Sequence, residues 1–299
     1  MVNTPAVDLL FDAVAAKGHV CVGLDTSPEY VPQTERQKAP NAAQAVLAFN
    51  TALIDATFDA VACYKVQIAY YEEMGIEGLK AYSKTLEYIR KKGGIVIADI
   101  KRGDIADTAR CYAKAHFTGD FKADFVTLSP YMGMDSVEPW LSLAQNEGAG
   151  AFVLMRTSNP GMKDFQYLET TDGKKLYNKI GDKLAELADK HKGKNGYGLF
   201  GAVVGCTERQ EASDIRKNYP NLFFLIPGYG TQGGGAQDAA LLLREGNGGV
   251  VNASRSIITA WQKEGGNEKA DNSFAAACAR KAAIKMRDEI FFELNGDKK

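Results

Sequence analysis

Eight short apolar runs, each followed by a segment with helical spacing, constrain this chain more than any other feature. The runs begin near His19, Ala62, Ile95, Phe125, Ala151, Gly198, Leu222 and Gly249. They are apolar at successive positions rather than at alternate ones, the pattern of parallel strands covered on both faces. Parallel neighbours need long crossovers, and helical segments supply them near 42–59, 74–92, 105–116, 136–145, 174–190, 208–217, 236–244 and 272–294. A shorter helix over 5–16 leads the chain. Eight such units in 299 residues predict an α/β fold, a single (β/α)8 or TIM barrel with a leading helix and loop insertions. A doubly wound open sheet is the alternative, but it explains less well why polar residues gather at nearly every strand's carboxyl end. Residues 26–40 hold Pro28, Pro32 and Pro40 and read as a long loop, and a polar insertion occupies 159–173. No linker divides the chain, so 1–299 reads as one domain.

The third run is the chemically distinctive one. Ile95-Val-Ile leads into Asp99, Lys101 and, after a glycine, Asp104. Residues two apart on a strand point to the same side, so Asp99 and Lys101 project together. Charges set against apolar surface are costly unless paired, and a structural pair needs only two of them. Two carboxylates and an ammonium, with Lys65 from the second run in reach, predict crowded like charges of the kind found in catalytic sites. Plainer readings stand beside this one. Asp99 and Lys101 can be a structural ion pair, Asp104 the cap of the next helix with Asp107 as its capping-box acid, and Thr108 ordinary surface.

A barrel brings all strand carboxyl ends to one mouth. Asp25, Lys65, Asp99, Lys101, Ser158, the loop Pro227-Gly-Tyr-Gly-Thr-Gln-Gly-Gly-Gly235 and Arg255 would meet there. Glycines let backbone amides approach an anion, the following helix points its positive end the same way, and Arg255 offers a fork of donors. A small phosphorylated substrate follows from this, with a flexible loop and a surface arginine as the plainer reading. His19, His116 and His191 are not placed for acid–base work, and the lysines already supply positive charge among the acids, so no metal is expected.

Composition excludes several classes. The net charge of −1 gives no case for nucleic acid or an anionic membrane surface, and no apolar run is long enough to span a bilayer. The amino terminus lacks a signal-peptide layout. Five scattered cysteines, with Cys21, Cys63 and Cys206 in expected strands, suggest reduced thiols in a cytoplasmic setting.

These residues resemble the orotidine 5′-phosphate decarboxylase family, in its longer-chain subgroup. The likeness rests on Leu24-Asp25, Tyr64-Lys65, Asp99-Ile-Lys101-Arg-Gly-Asp104-Ile-Ala-Asp-Thr108, Thr157-Ser158-Asn-Pro-Gly161, Pro227-Gly-Tyr-Gly-Thr-Gln232 and Ser254-Arg255, and covers nearly the whole chain. It implies decarboxylation of orotidine 5′-monophosphate (OMP) to uridine 5′-monophosphate (UMP), without metal or cofactor, in a homodimeric barrel. By motif match, Lys101 protonates C6, Asp99 faces the departing carboxylate, and Lys65 completes the charged network. Asp104 and Thr108 reach across the dimer interface into the partner's site. Asp25 binds ribose, Ser158 the pyrimidine, and Gln232 and Arg255 the phosphate, with Pro227 and Ser254 also on the substrate. Ser254 departs from the family pattern, which has glycine before the arginine in many members. A magnesium-dependent keto-sugar-phosphate lyase of the same superfamily would want an acid where Lys65 stands. A non-catalytic barrel binding a phosphoribosyl ligand would be expected to lose Lys101 or Asp104.

Overall fold

The eight apolar runs form one closed, all-parallel barrel in a computed structural model of the chain. The structure describes residues 4–230, 233–265 and 270–296. The strands are β1 (Val20–Leu24), β2 (Cys63–Gln67), β3 (Ile95–Arg102), β4 (Phe125–Leu128), β5 (Gly150–Arg156), β6 (Phe200–Val204), β7 (Phe224–Ile226) and β8 (Gly249–Ala253). Each pairs with its neighbour in chain order, and β1 closes on β8 through Val20↔Val251, Cys21↔Asn252 and Val22↔Ala253. Strand residues are buried almost without break, because side chains fill the barrel inside and helices cover it outside. Stacked rings of Phe125 and Phe152, 5.0 Å apart, are part of this core.

The crossover helices begin where local chemistry favours a start. Asn41 accepts the Gln44 amide at 2.9 Å to cap Ala42–Thr57, and Asp271 accepts the Phe274 amide at 2.8 Å to cap Asn272–Asn295. These two helices pack against each other beside β1. The leading helix spans Ala6–Lys17. No helix among the described residues is long and apolar enough to cross a membrane.

Several local expectations need correction. The stretch 26–40 is not simply a loop: it holds a 3-10 turn, Pro28–Tyr30, and a helix, Gln33–Lys38. Pro28 opens the turn and Pro32 sits just before the helix, positions where a fixed φ and a missing N–H cost nothing. The helix expected over 136–145 is split into turns Met134–Ser136 and Glu138–Trp140 before Leu141–Glu147, with Pro139 at the break. The helix after the glycine loop is only Ala236–Ala240. Cys206 lies just past β6 rather than within it, though it is buried.

Candidate active site

The carboxyl ends of β1, β2 and β3 lie side by side, with Gln67 in register with Asp99. There Lys65 Nζ donates to Asp25 Oδ1 and Asp99 Oδ2, both at 2.9 Å, and Lys101 Nζ donates to Asp99 Oδ1 at 2.6 Å. The result is an alternating row, Asp25, Lys65, Asp99, Lys101, in which every acid touches a lysine. Burial alone would neutralise the inner pair. Desolvation pushes Asp99 up, but Lys65 and Lys101 outweigh it and hold its carboxyl well below 3.8. Desolvation likewise opposes the Lys65 ammonium, and Asp25 and Asp99 outweigh it, keeping that group well above 10.5. The inner pair, Lys65 and Asp99, is thus held ionised, and the expected crowding of like charges does not occur within the row. It would arise only when a further anion enters beside Asp99.

Two neighbours complete Asp99. Gln67 Nε2 donates to its Oδ2 at 3.0 Å and Thr127 Oγ1 to its Oδ1 at 2.8 Å. The Thr127 oxygen also accepts the amides of Ile100 (3.0 Å) and Lys101 (2.9 Å). This double acceptance holds an irregular piece of backbone. Lys101 has φ 45°, a left-handed conformation, and the β3–β4 register shifts between Ala98 and Arg102. Such a step costs a non-glycine residue roughly 1–2 kcal/mol and persists only when neighbours enforce it. Lys101 therefore reaches Asp99 through a local bulge, not through simple strand alternation.

Asp104 does not join the row in this chain, contrary to the convergence expected from the sequence. Gly103 packs so close to the Ser129 carbonyl that an added Cβ would lie 2.9 Å from it, and the chain then leaves the barrel. Asp104 Oδ1 accepts the Ile105 amide at 2.8 Å, while Ile105 occupies the cap position of helix Ala106–Phe117. Asp104 is therefore not that helix's N-cap. Thr108 is exposed on its first turn.

A cavity of about 380 Å³ opens above the row. Asp25, Lys65, Asp99 and Lys101 form its floor; Ser158, Pro227, Gly228, Tyr229, Ser254 and Arg255 are among its other walls. Ser254 Oγ donates to Asp25 Oδ2 at 2.8 Å, tying the end of β8 to the end of β1. Gly23 makes this possible, because a Cβ there would lie 1.9 Å from Ser254 Oγ. Arg255 is exposed at the cavity edge, with no carboxylate at ion-pair distance among the described residues. Gln232 lies outside the described residues.

The glycine loop is only partly at the mouth. The Gly230 amide donates to the Gly234 carbonyl (2.9 Å) and the Gly234 amide to the Gly228 carbonyl (3.1 Å), folding the loop back on itself. Gly234, Gly235 and Ala236 consequently line an outer groove rather than this cavity. The Gly235 amide, just before helix Ala236–Ala240, is answered by Asp238 Oδ2 at 2.9 Å and is not free for an anion. Tyr229 stands between the two spaces, its hydroxyl donating to Glu289 at 2.5 Å.

Sequence reasoning did not single out Gln67, Thr127, Tyr30, Tyr70 or Asn252, which all line the cavity. Gln67 carried a signal, standing two residues beyond Lys65 on the same strand face. Thr127 carried none, since a lone threonine in an apolar strand is common.

The profile of the Orotidine 5′-phosphate decarboxylase / HUMPS family matches residues 18–268. An orotidine 5′-phosphate decarboxylase from Clostridium acetobutylicum is 55% identical over 284 residues, covering 95% of this chain and 98% of that one. This chain belongs to the orotidine 5′-phosphate decarboxylase family. Among solved structures of that family, OMP decarboxylase from Leishmania donovani superposes with a TM-score of 0.74 at 30% identity, covering 97% of this chain and 99% of the other. The UMP synthase of Leishmania donovani gives a TM-score of 0.77 at 32% identity; the match covers 98% of this chain but 57% of that longer one.

Proposed function

We infer that this chain is an orotidine 5′-phosphate decarboxylase, a carboxy-lyase converting OMP to UMP and carbon dioxide in pyrimidine biosynthesis. The observation that carries the reading is the alternating row Asp25, Lys65, Asp99, Lys101 on the floor of a cavity of nucleotide-accommodating size, within a chain of this family. In the reaction the bond from C6 to the carboxylate carbon breaks, its electron pair stays on C6, and carbon dioxide leaves. The Lys101 ammonium delivers a proton to that carbon, which balances the step. Asp99, kept ionised by its two lysines, stands against the substrate carboxylate and is relieved as that charge departs as a neutral molecule. Lys65 fixes Asp99 and Asp25 relative to each other. Its Nζ lies 2.9 Å from both acids, the position a bridging divalent cation would need, which favours this reading over the magnesium-dependent lyase.

Asp25 binds the ribose hydroxyls, Ser158 the pyrimidine, and Arg255 with Gln232, Ser254 and Pro227 the phosphate end. The working form is a homodimer in which Asp104 and Thr108 enter the partner's site. Supporting this, Asp104 and Thr108 are not among the residues lining the cavity above their own row, and the loops after β3 and β4 run together (Ser129 amide to Arg102 carbonyl, 2.7 Å). Exposed Ile105, Tyr131 and Met132 on those loops would be covered by a second copy. The reading treats the chain as one catalytic domain acting in the cytoplasm.

The test is conversion of OMP to UMP followed by ultraviolet absorbance, with and without EDTA, for the unmutated protein and Lys101→Ala. Conversion indifferent to EDTA and lost in Lys101→Ala is the expected result. Conversion abolished by the chelator, or retained without Lys101, overturns the assignment.

A further inference from the structure

The insertion after β5 is tied down at several points. Tyr167 and Lys175 both bond Glu211 of helix Arg209–Asn218. The backbone of Gln166 is fixed at both ends: its amide donates to the Met162 carbonyl (2.8 Å) and its carbonyl accepts from Tyr177 (3.1 Å). A residue fixed this way holds its side chain in one place, and that side chain grips the strand end. Gln166 Oε1 accepts the Thr157 amide at 2.9 Å, and Gln166 Nε2 donates to Thr157 Oγ1, also at 2.9 Å. The Thr157 hydroxyl passes the chain on, donating to Asn159 Oδ1 at 2.7 Å.

Thr157, Ser158 and Asn159 all face the cavity. On the other side Ser158 is confined by glycines: a Cβ on Gly205 would lie 2.8 Å from Ser158 Cβ, and one on Gly228 3.3 Å. The Ser158 carbonyl accepts from Thr207 Oγ1 at 3.4 Å. The segment is thus pressed against two glycines, which follow β6 and β7, and held from behind by one amide.

We propose that Gln166 is a positioning residue, its two-point clamp on Thr157 setting the Thr157–Asn159 segment against the pyrimidine end of the substrate. This gives the insertion a role in recognition and rests on the decarboxylase reading above, which assigns Ser158 to the ring. A clamp on one end of a ligand predicts an effect confined to that end. Shifting a positioning group by a fraction of an ångström costs far more activity than the strength of its own hydrogen bonds would suggest.

The experiment compares unmutated protein, Gln166→Ala and Gln166→Glu. The readouts are kcat and KM for OMP, inhibition by UMP, and inhibition by ribose 5-phosphate, which lacks the ring. Gln166→Ala is expected to lower kcat/KM for OMP about tenfold and to weaken UMP comparably, with ribose 5-phosphate unchanged. Gln166→Glu, which keeps the acceptor for the Thr157 amide, is expected to recover part of the loss. Unchanged kinetics in Gln166→Ala, or equal weakening of UMP and ribose 5-phosphate, overturns the proposal and leaves the decarboxylase reading standing. No conversion by the unmutated protein overturns that reading and the proposal with it.

Discussion

Thr127→Val tests whether one hydroxyl organises the reacting end of β3. Valine matches threonine in shape, so packing in this fully buried position is preserved and only the oxygen's bonds are removed. The buried Ile100 amide and the partly buried Lys101 amide lose their acceptor, at about 1–3 kcal/mol each, the Lys101 amide at the lower end. Asp99 loses a hydrogen bond to an ionised group, worth about 1.5–3 kcal/mol. Partial relaxation of the bulge puts the expected loss near the lower end, about 3–5 kcal/mol, a large share of the roughly 5–15 kcal/mol by which domains are stable. Thr127→Ser keeps all three bonds and sacrifices one methyl group, about 1 kcal/mol. Guanidinium denaturation followed by circular dichroism measures stability, and OMP turnover by absorbance measures kcat in parallel. The valine variant is expected to lose stability by that amount and to lose at least about tenfold in kcat, because Lys101 is no longer fixed in its left-handed conformation. A valine variant as stable and active as the unmutated protein refutes the reasoning, as does a serine variant no better than valine.

Gly23→Ala should clash with Ser254 Oγ and reduce activity sharply, while adding Ser254→Gly to it should restore most of what was lost; a double variant no better than Gly23→Ala would show that the two positions are not coupled. The pH dependence of stability should show two acid steps. His116 is held down to about 4 by burial, with Arg102 adding to the effect, so the unfolded chain binds a proton below about 6.5 that the folded chain refuses. Stability therefore falls between those values as pH drops, by up to about 3 kcal/mol, and His116→Gln should flatten most of this limb, with His19 contributing the rest. Asp99, held below its ordinary value, contributes stability that is present above pH 3.8 and lost only on further acidification, so Asp99→Asn should leave the first step untouched. Denaturation midpoints from pH 3 to 8 decide both points.

The sequence made the barrel legible because parallel strands buried on both faces leave an unbroken apolar signature, and eight copies of it have few other solutions. Asp25, Lys65, Asp99 and Lys101 were legible for a related reason: charge at the end of a buried strand demands explanation. What the pattern could not carry was backbone irregularity. The left-handed turn at Lys101 depends on a contact with Thr127, 26 residues away, and nothing local marks it. Spacing alone puts Asp104 beside Lys101, but it does not show the left-handed step at Lys101 or the close approach of Gly103 to the Ser129 carbonyl, after which Asp104 lies outside the row of its own chain. Proline likewise misled: Pro28 and Pro32 read as loop residues, yet each stands at the start of a helical turn. The Gln166 clamp joins residues nine apart across the 3-10 turn Pro160–Asp164, a segment too short to carry a periodic signature.

The hydrogen bond from Ser254 to Asp25 joins the two ends of the barrel in time as well as in space. Asp25 leaves the ribosome well before Ser254, with six strands between the ones they follow. The acid row of β1 to β3 is therefore finished only after the last strand has docked against the first. A nascent or truncated chain holds Asp25 and Lys65 without their final neighbour, and it cannot present the completed cavity. Restored catalysis in a refolding experiment thus reports closure of the β1–β8 seam, which spectroscopic signals from the helices do not report.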